Sequence, residues 1–188
     1  MQTARVILLS FLLAFTLTAH VKADDNAISG NLGDTTRILL LNQQAYEFYM
    51  NSLNNSCLAS SSLALHYTNL DGSKISIVHS HLDLGTAYLK NSEPDNALEQ
   101  FFIALELSHE ENYRTTEVLA AMNIAKIHLG ENQPAEALAW LKKAEKTAPK
   151  PLPVLIKDLY LNIAEAYAKL GDYKSAFINL QLHNQVKD

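Results

Sequence analysis

Between residues 35 and 185, apolar side chains recur every three or four positions and are interrupted at regular intervals by short polar, Gly or Pro breaks. Apolar residues at that spacing share one face of a helix, and the breaks set the helix ends. The pattern predicts eight helices, over residues 35–50, 56–67, 73–90, 94–108, 115–129, 134–147, 153–170 and 173–185. Taken in order, they pair into four antiparallel hairpins. Asn69-Leu70-Asp71-Gly72 suits a turn. Asn91-Ser92-Glu93-Pro94 and Glu131-Asn132-Gln133-Pro134 bring Pro to a helix start, where a missing N–H does little harm, and Gly171-Asp172 closes one helix and opens the next. The stretch Ala148-Pro149-Lys150-Pro151-Leu152-Pro153 is too proline-rich to be helix interior.

The hairpins share one internal period. Ala45, Gly85, Ala125 and Ala164 stand 40, 40 and 39 residues apart, as do Cys57, Ala97, Ala137 and Ala176. Phe48, Tyr88, His128 and Tyr167 follow the first set by three positions, and Ala64, Ala104, Ala144 and His183 follow the second by seven. Small residues at fixed points let helices approach closely, and bulky ones a turn later fill the adjoining space. The sequence therefore predicts an all-α array of tandem helical hairpins, with Gly85, Ala125 and Ala164 at close helix crossings. His128 stands where the register asks for an aromatic ring, either as a packed neutral imidazole or at an edge.

The order Leu84-Gly85-x-x-Tyr88 followed by Ala97, Phe101 and Ala104 resembles the signature of the tetratricopeptide repeat family. So do Ile163-Ala164-x-x-Tyr167 with Gly171-Asp172-Tyr173 and Ala176, and Ile124-Ala125 with Ala137, Leu141, Ala144 and Pro149. The first copy is degenerate, with Gln44, Cys57 and Ser61 at positions that favour a bulky residue, Ala and an aromatic or Leu. The resemblance covers residues 35–188 and implies a right-handed superhelical array. The observed period exceeds the family's usual repeat of 34 residues, which calls for longer first helices or longer connections between hairpins. In this register Cys57 replaces a small Ala against its hairpin partner and reads as a buried thiol.

Residues 1–23 form a separate segment. Arg5 precedes the apolar run 6–18, and Val21 and Ala23 sit at positions −3 and −1 of a cut before Asp24. Thirteen helical residues rise only about 20 Å, short of the roughly 30 Å hydrocarbon core, so cleavage is favoured over anchoring. Residues 24–34 read as a flexible leader. Cys57 is the only cysteine, which rules out an intramolecular disulfide and a multi-cysteine metal cluster. These features predict export, to a bacterial periplasm or otherwise as a secreted protein, with no stable membrane insertion after cleavage. Removing Arg5 and Lys22 leaves 13 basic against 20 acidic residues, a net charge of −7. An acidic chain without a basic run gives no support to a nucleic-acid partner.

The resemblance implies that the first helices line a concave groove for a protein or extended peptide. Its groove positions fall on Asn42, Gln43, Tyr46, Tyr49 and Met50; on His79, Leu82, Asp83, Thr86, Leu89 and Lys90; on Leu119, Met122, Asn123, Lys126 and Leu129; and on Asp158, Leu161, Asn162, Glu165 and Lys169. Asn and Gln amides both donate and accept hydrogen bonds, as a peptide backbone requires, while Asp83 and Glu165 would select Lys or Arg. The alternative is that Leu82, Leu89, Met122 and Leu161 complete interhelical packing and the polar residues keep the array soluble. A clamp for a terminal carboxylate would need two Lys, an Arg and two Asn where Leu82, Thr86, Asn123, Asp158 and Asn162 stand, so only Asn123 fits. His79 and Asp83 share a helix face but two ligands make no secure metal site, and Glu106, His109 and Glu110 read as a solvated helix end. No phosphate loop, HExxH motif or nucleophile elbow is present, so no catalytic residue, metal or cofactor is predicted. A second role is homo-oligomerisation through Phe177, Leu180 and Leu182 on the eighth predicted helix, which no obvious polar capping helix covers.

Overall fold

From residue 73 onward each repeat is a pair of helices, and the turns explain why most of these helices stop where they do. A computed structural model describes residues 40, 41, 43, 44, 54–71, 73–149 and 152–186. The signal segment, the leader, Asn42, Tyr46, Tyr49, Met50 and the side chain of Cys57 lie outside the described residues. The chain divides into two units, residues 1–72 and 73–188. In the first, Leu40, Leu41, Gln43 and Gln44 are helical and α1 runs Asn54–Asp71, with Ser61, Ala64 and Thr68 buried. The turn expected at 69–72 begins later than its composition implies, because Asn69, Leu70 and Asp71 continue the helix.

The second unit holds α2 (Lys74–Lys90), α3 (Pro94–Glu110), α4 (Arg114–Gly130), α5 (Pro134–Thr147), α6 (Pro153–Lys169) and α7 (Tyr173–Gln185). They pack as α2 with α3, α4 with α5 and α6 with α7, and each hairpin also packs on the next through α3 with α4 and α5 with α6. No strand occurs among the described residues. The helix starts at 74, 94, 114, 134, 153 and 173 show how the long period is built. Both helices of the α2–α3 hairpin have 17 residues, and the turn after α3 is as short as the turn inside the hairpin. The excess over a 34-residue repeat is thus taken up in helix length, on second helices as well as first, and not in long connections. The exception is α5, which stops after 14 residues where the proline-rich segment takes over.

Ser92, Asn112, Asn132 and Gly171 each adopt a left-handed conformation, with φ of 62°, 56°, 59° and 80°. Behind each, the next N–H reaches back five residues, Glu93 to Tyr88 O, Tyr113 to Ser108 O, Gln133 to His128 O and Asp172 to Tyr167 O, at 2.8–3.0 Å. These are four copies of one helix-ending motif that satisfies otherwise orphaned carbonyls. Because the same motif closes helices within hairpins and between them, the unit is effectively a 20-residue helix-plus-turn repeated along the array.

The core is a row of small-against-large contacts. Phe101, Leu141, Ile124 and Ile163 are fully buried, as are Ala97, Ala104, Ala125 and Ala137. A Cβ added to Gly85 would stand 2.6 Å from the Phe101 ring, so a glycine is the only residue that leaves the ring its place. His183, which breaks the Ala64–Ala104–Ala144 series, donates from Nδ1 to Lys157 O at 2.8 Å and ties α7 to α6. His128 is half-buried, its Nδ1 2.7 Å from Gln133 Oε1 in the following turn.

Candidate functional site

In the second unit the first helices touch their counterparts, α2 with α4 and α4 with α6. The second helices lack comparable helix-to-helix packing, and α3 and α5 meet through an edge-to-face contact of Phe102 with Trp140, ring centroids 5.7 Å apart. A layer of helices packed more closely than the layer behind it lies on the inside of a bend. The inner layer is α2, α4 and α6, the helices on which the groove register falls.

Along this layer His79, Asp83, Lys126, Asp158, Leu161, Glu165 and Lys169 are exposed, and Thr86, Leu89, Lys90, Leu119 and Asn123 are half-buried. Leu82, Met122 and Leu129 are buried. The packing role considered for Leu82 and Met122 is therefore their role here, whereas Leu161 faces solvent. Thr86 donates its hydroxyl to Leu82 O, which occupies it within its own helix. Gln43, in the first unit, is exposed. His109 pairs across the turn with Glu117 at 3.2 Å rather than with Glu106 or Glu110. Among the described residues no three His, Cys, Asp or Glu side chains come together as a metal site.

Two features of this layer are not visible in residue types alone. Asn162 is 8% exposed and its Nδ2 has no hydrogen-bond partner among the described residues. On α6 it lies at the border between the exposed stripe of Asp158, Leu161 and Glu165 and the packed face of Leu155, Leu159 and Ile163. A buried amide donor left open costs about 1–3 kcal/mol relative to a satisfied one. The second feature is a cavity of about 300 Å³ where α2 and α4 end, lined by Leu89, Pro94, Lys126, Ile127, Gly130 and Glu131. Its floor is apolar, and Leu89 and Lys126 are the predicted groove residues that line it. A larger cavity of about 500 Å³ lies elsewhere, among Glu145, Ala148, Leu152, Pro153, Ile156, Leu159, Tyr160 and Val186, at positions outside the groove register.

The charge pattern is mixed. Water reaches Asp83, yet the surrounding protein removes enough solvation to push its carboxyl up to about 6. Burial also lowers His79 and His81, and for His81 the bond from Nδ1 to Gln100 Oε1 at 2.8 Å partly opposes that shift. Partial desolvation thus disfavours the charged form of both the Asp83 carboxylate and the His79 imidazole, one turn apart on α2.

Comparison with known proteins agrees with this architecture. The tetratricopeptide repeat pattern matches residues 158–181, the greater part of α6 and α7. The chain has a tetratricopeptide-like repeat fold. BtubC from P. vanneervenii superposes with a TM-score of 0.70 at 11% identity, covering 84% of this chain and 65% of that one. RapI does so with a TM-score of 0.72 at 18% identity, covering 88% and 61%. A putative kinesin light chain with nearly identical TPR-like repeats, from Podosopora anserina, gives 0.66 at 16% identity, covering 81% and 76%. The chain thus spans under two thirds of BtubC and RapI, and identities this low establish the fold alone. Comparison with curated protein sequences gave no match. Among the described residues no helix is long and apolar enough to cross a membrane.

Proposed function

We propose that the protein is an exported adaptor that holds an extended peptide, or an extended segment of a protein, along the α2–α4–α6 face. The observation that carries the reading is the row of polar side chains along the inner layer, Asp83 on α2, Asn123 and Lys126 on α4 and Glu165 on α6, which stand exposed or half-buried on successive first helices and can meet the N–H and C=O groups of an extended chain. Asn162 borders the same stripe on α6. Asp83 and Glu165 supply acceptors for Lys or Arg, and the 300 Å³ recess beside Lys126 accommodates an apolar side chain. Tyr46 and Tyr49 would extend the same register toward the N-terminus with Asn42 and Gln43. Export rests on the segment 1–23, with cleavage before Asp24 and a periplasmic or otherwise extracytoplasmic destination.

The test is crosslinking capture in the native cells followed by affinity measurement on the captured segment. Asn123→Ala, Lys126→Ala and Asn162→Ala are each expected to weaken binding by about 1 kcal/mol or more while helicity is kept. Binding unchanged in all three defeats the groove assignment. N-terminal sequencing of the recovered protein tests export, which a product beginning at Met1 would refute.

A further inference from the structure

Residues at one repeat position have the same surroundings in each hairpin unless a neighbour is missing. Leu180 on α7 is the counterpart of Phe101 on α3 and Leu141 on α5, both 0% exposed, but it is 40% exposed. Phe177 is the counterpart of half-buried Leu98 and Leu138, and it is 61% exposed. Tyr173, in the place of Pro94 and Pro134, is 74% exposed. The difference follows from the packing: α3 and α5 are each held between two helices, α4 and α6 supplying the outer one, whereas α7 has α6 as its packed neighbour among the described helices. The face that Tyr173, Phe177 and Leu180 share is a continuation of the interface that stacks one hairpin on the next. What it fits is a helix with an apolar stripe.

We propose that this helix is α7 of a second copy, paired antiparallel about a two-fold axis between Phe177 and Leu180. The stripe is complementary to itself under that operation. Phe177 meets Leu180 of the second copy, and Tyr173 meets its Asn184. Charge selects the direction. Lys174 is the one formally charged residue in the sequence of α7. Parallel pairing would set two Lys174 side by side, while antiparallel pairing puts each beside the C-terminal end of the opposite helix, where unpaired carbonyls favour a cation. Leu182 has no part in the contact. It is half-buried and lies about 140° around the helix from Phe177, off the face that Phe177 and Leu180 share. Four partly exposed side chains fall short of the roughly 800 Å² per partner of a stable standard interface, so the pair dissociates on dilution.

Sedimentation of the processed chain between about 1 and 200 μM, the range in which so small an interface associates, is expected to show a monomer–dimer equilibrium. Phe177→Glu and Leu180→Glu are expected to raise the dimer dissociation constant at least about tenfold with unchanged circular dichroism. Ile178→Glu, exposed but about 100° away from Phe177 on the helix, leaves it unchanged. In a Cys57→Ser background, a mixture of Tyr173→Cys and Asn184→Cys chains is expected to crosslink more efficiently than either alone, a readout that survives if the charged variants fold poorly. A monomer across the whole range, or a dimer indifferent to both charged variants and to the cysteine pairing, overturns the proposal. A dimer lost with Phe177 while peptide capture persists leaves the groove reading intact, so the two fail separately.

Discussion

Complementary volume at single positions decides how these helices approach. Gly85 faces Phe101, and the equivalent positions one repeat on are Ala125 and Leu141, so a smaller small residue accompanies a larger large one. Gly85→Ala is expected to destabilise by about 1–3 kcal/mol, since Phe101 is fully buried and its ring has nowhere to yield. Adding Phe101→Leu copies the pair already used by α4 and α5, and the double variant is expected to be more stable than Gly85→Ala alone in urea unfolding. A double variant that is no better would mean that the Cβ is excluded by something other than the ring. The helix-ending turns give a second test. Ser92 holds φ of 62° with a Cβ, so Ser92→Gly is expected to stabilise by about 0.5–1 kcal/mol, whereas Gly171→Ala, at φ of 80°, is expected to cost about 1–2 kcal/mol. Thermal unfolding of the two variants should move in opposite directions.

At the scale of elements, the sequence was most readable where an irreversible stop exists and least where a helix ends by backbone geometry alone. Pro134 and the proline-rich segment bound α5 at the residues expected, and α7 likewise runs 173–185 behind Gly171 and Asp172. The ends of α1 and α3 were underestimated. His109 and Glu110 continue α3 to a left-handed Asn112, and polarity at a helix end does not distinguish a solvated last turn from a loop. The predicted groove positions are legible as a register, because a 40-residue period fixes which helix face each copy presents. Their solvation is not: Asn123 and Asn162 look alike in sequence, yet one is half-buried and the other has a buried, unpaired amide nitrogen. That difference supports a prediction. Asn162→Leu removes the buried unpaired donor and is expected to leave the free chain at least as stable in urea unfolding. A clear loss of stability would show that the amide is satisfied in the free protein.

For the whole molecule, Asp83, His79 and His81 on α2 make stability depend on pH. Asp83 has a folded value of about 6 against an ordinary 3.8, so the fold holds its proton more tightly than the unfolded chain does. Its destabilising contribution is absent below about 3.8, grows as pH rises between 3.8 and 6, and is complete above that. His79 and His81 have the opposite sign. Their lowered values favour the neutral ring, so their contribution is present above an ordinary 6.5 and is lost as pH falls through the folded values. Asp83→Asn removes one of these opposing terms. It is expected to make stability rise more steeply with pH between about 4 and 6 than in the unmodified chain, measured as the urea midpoint across a pH series. Binding is expected to follow the carboxylate. A peptide Lys or Arg seated at Asp83 requires it ionised, so affinity for a cationic peptide falls as pH drops below about 6 and binding near that pH releases a proton from Asp83. Calorimetry in two buffers of different ionisation enthalpy reads that release directly. With Asp83→Asn the proton release should disappear and affinity at neutral pH should fall, while a peptide lacking Lys and Arg should bind both forms alike. If release persists in Asp83→Asn, the titrating group lies elsewhere on the face, and the selectivity assigned to this carboxylate is wrong.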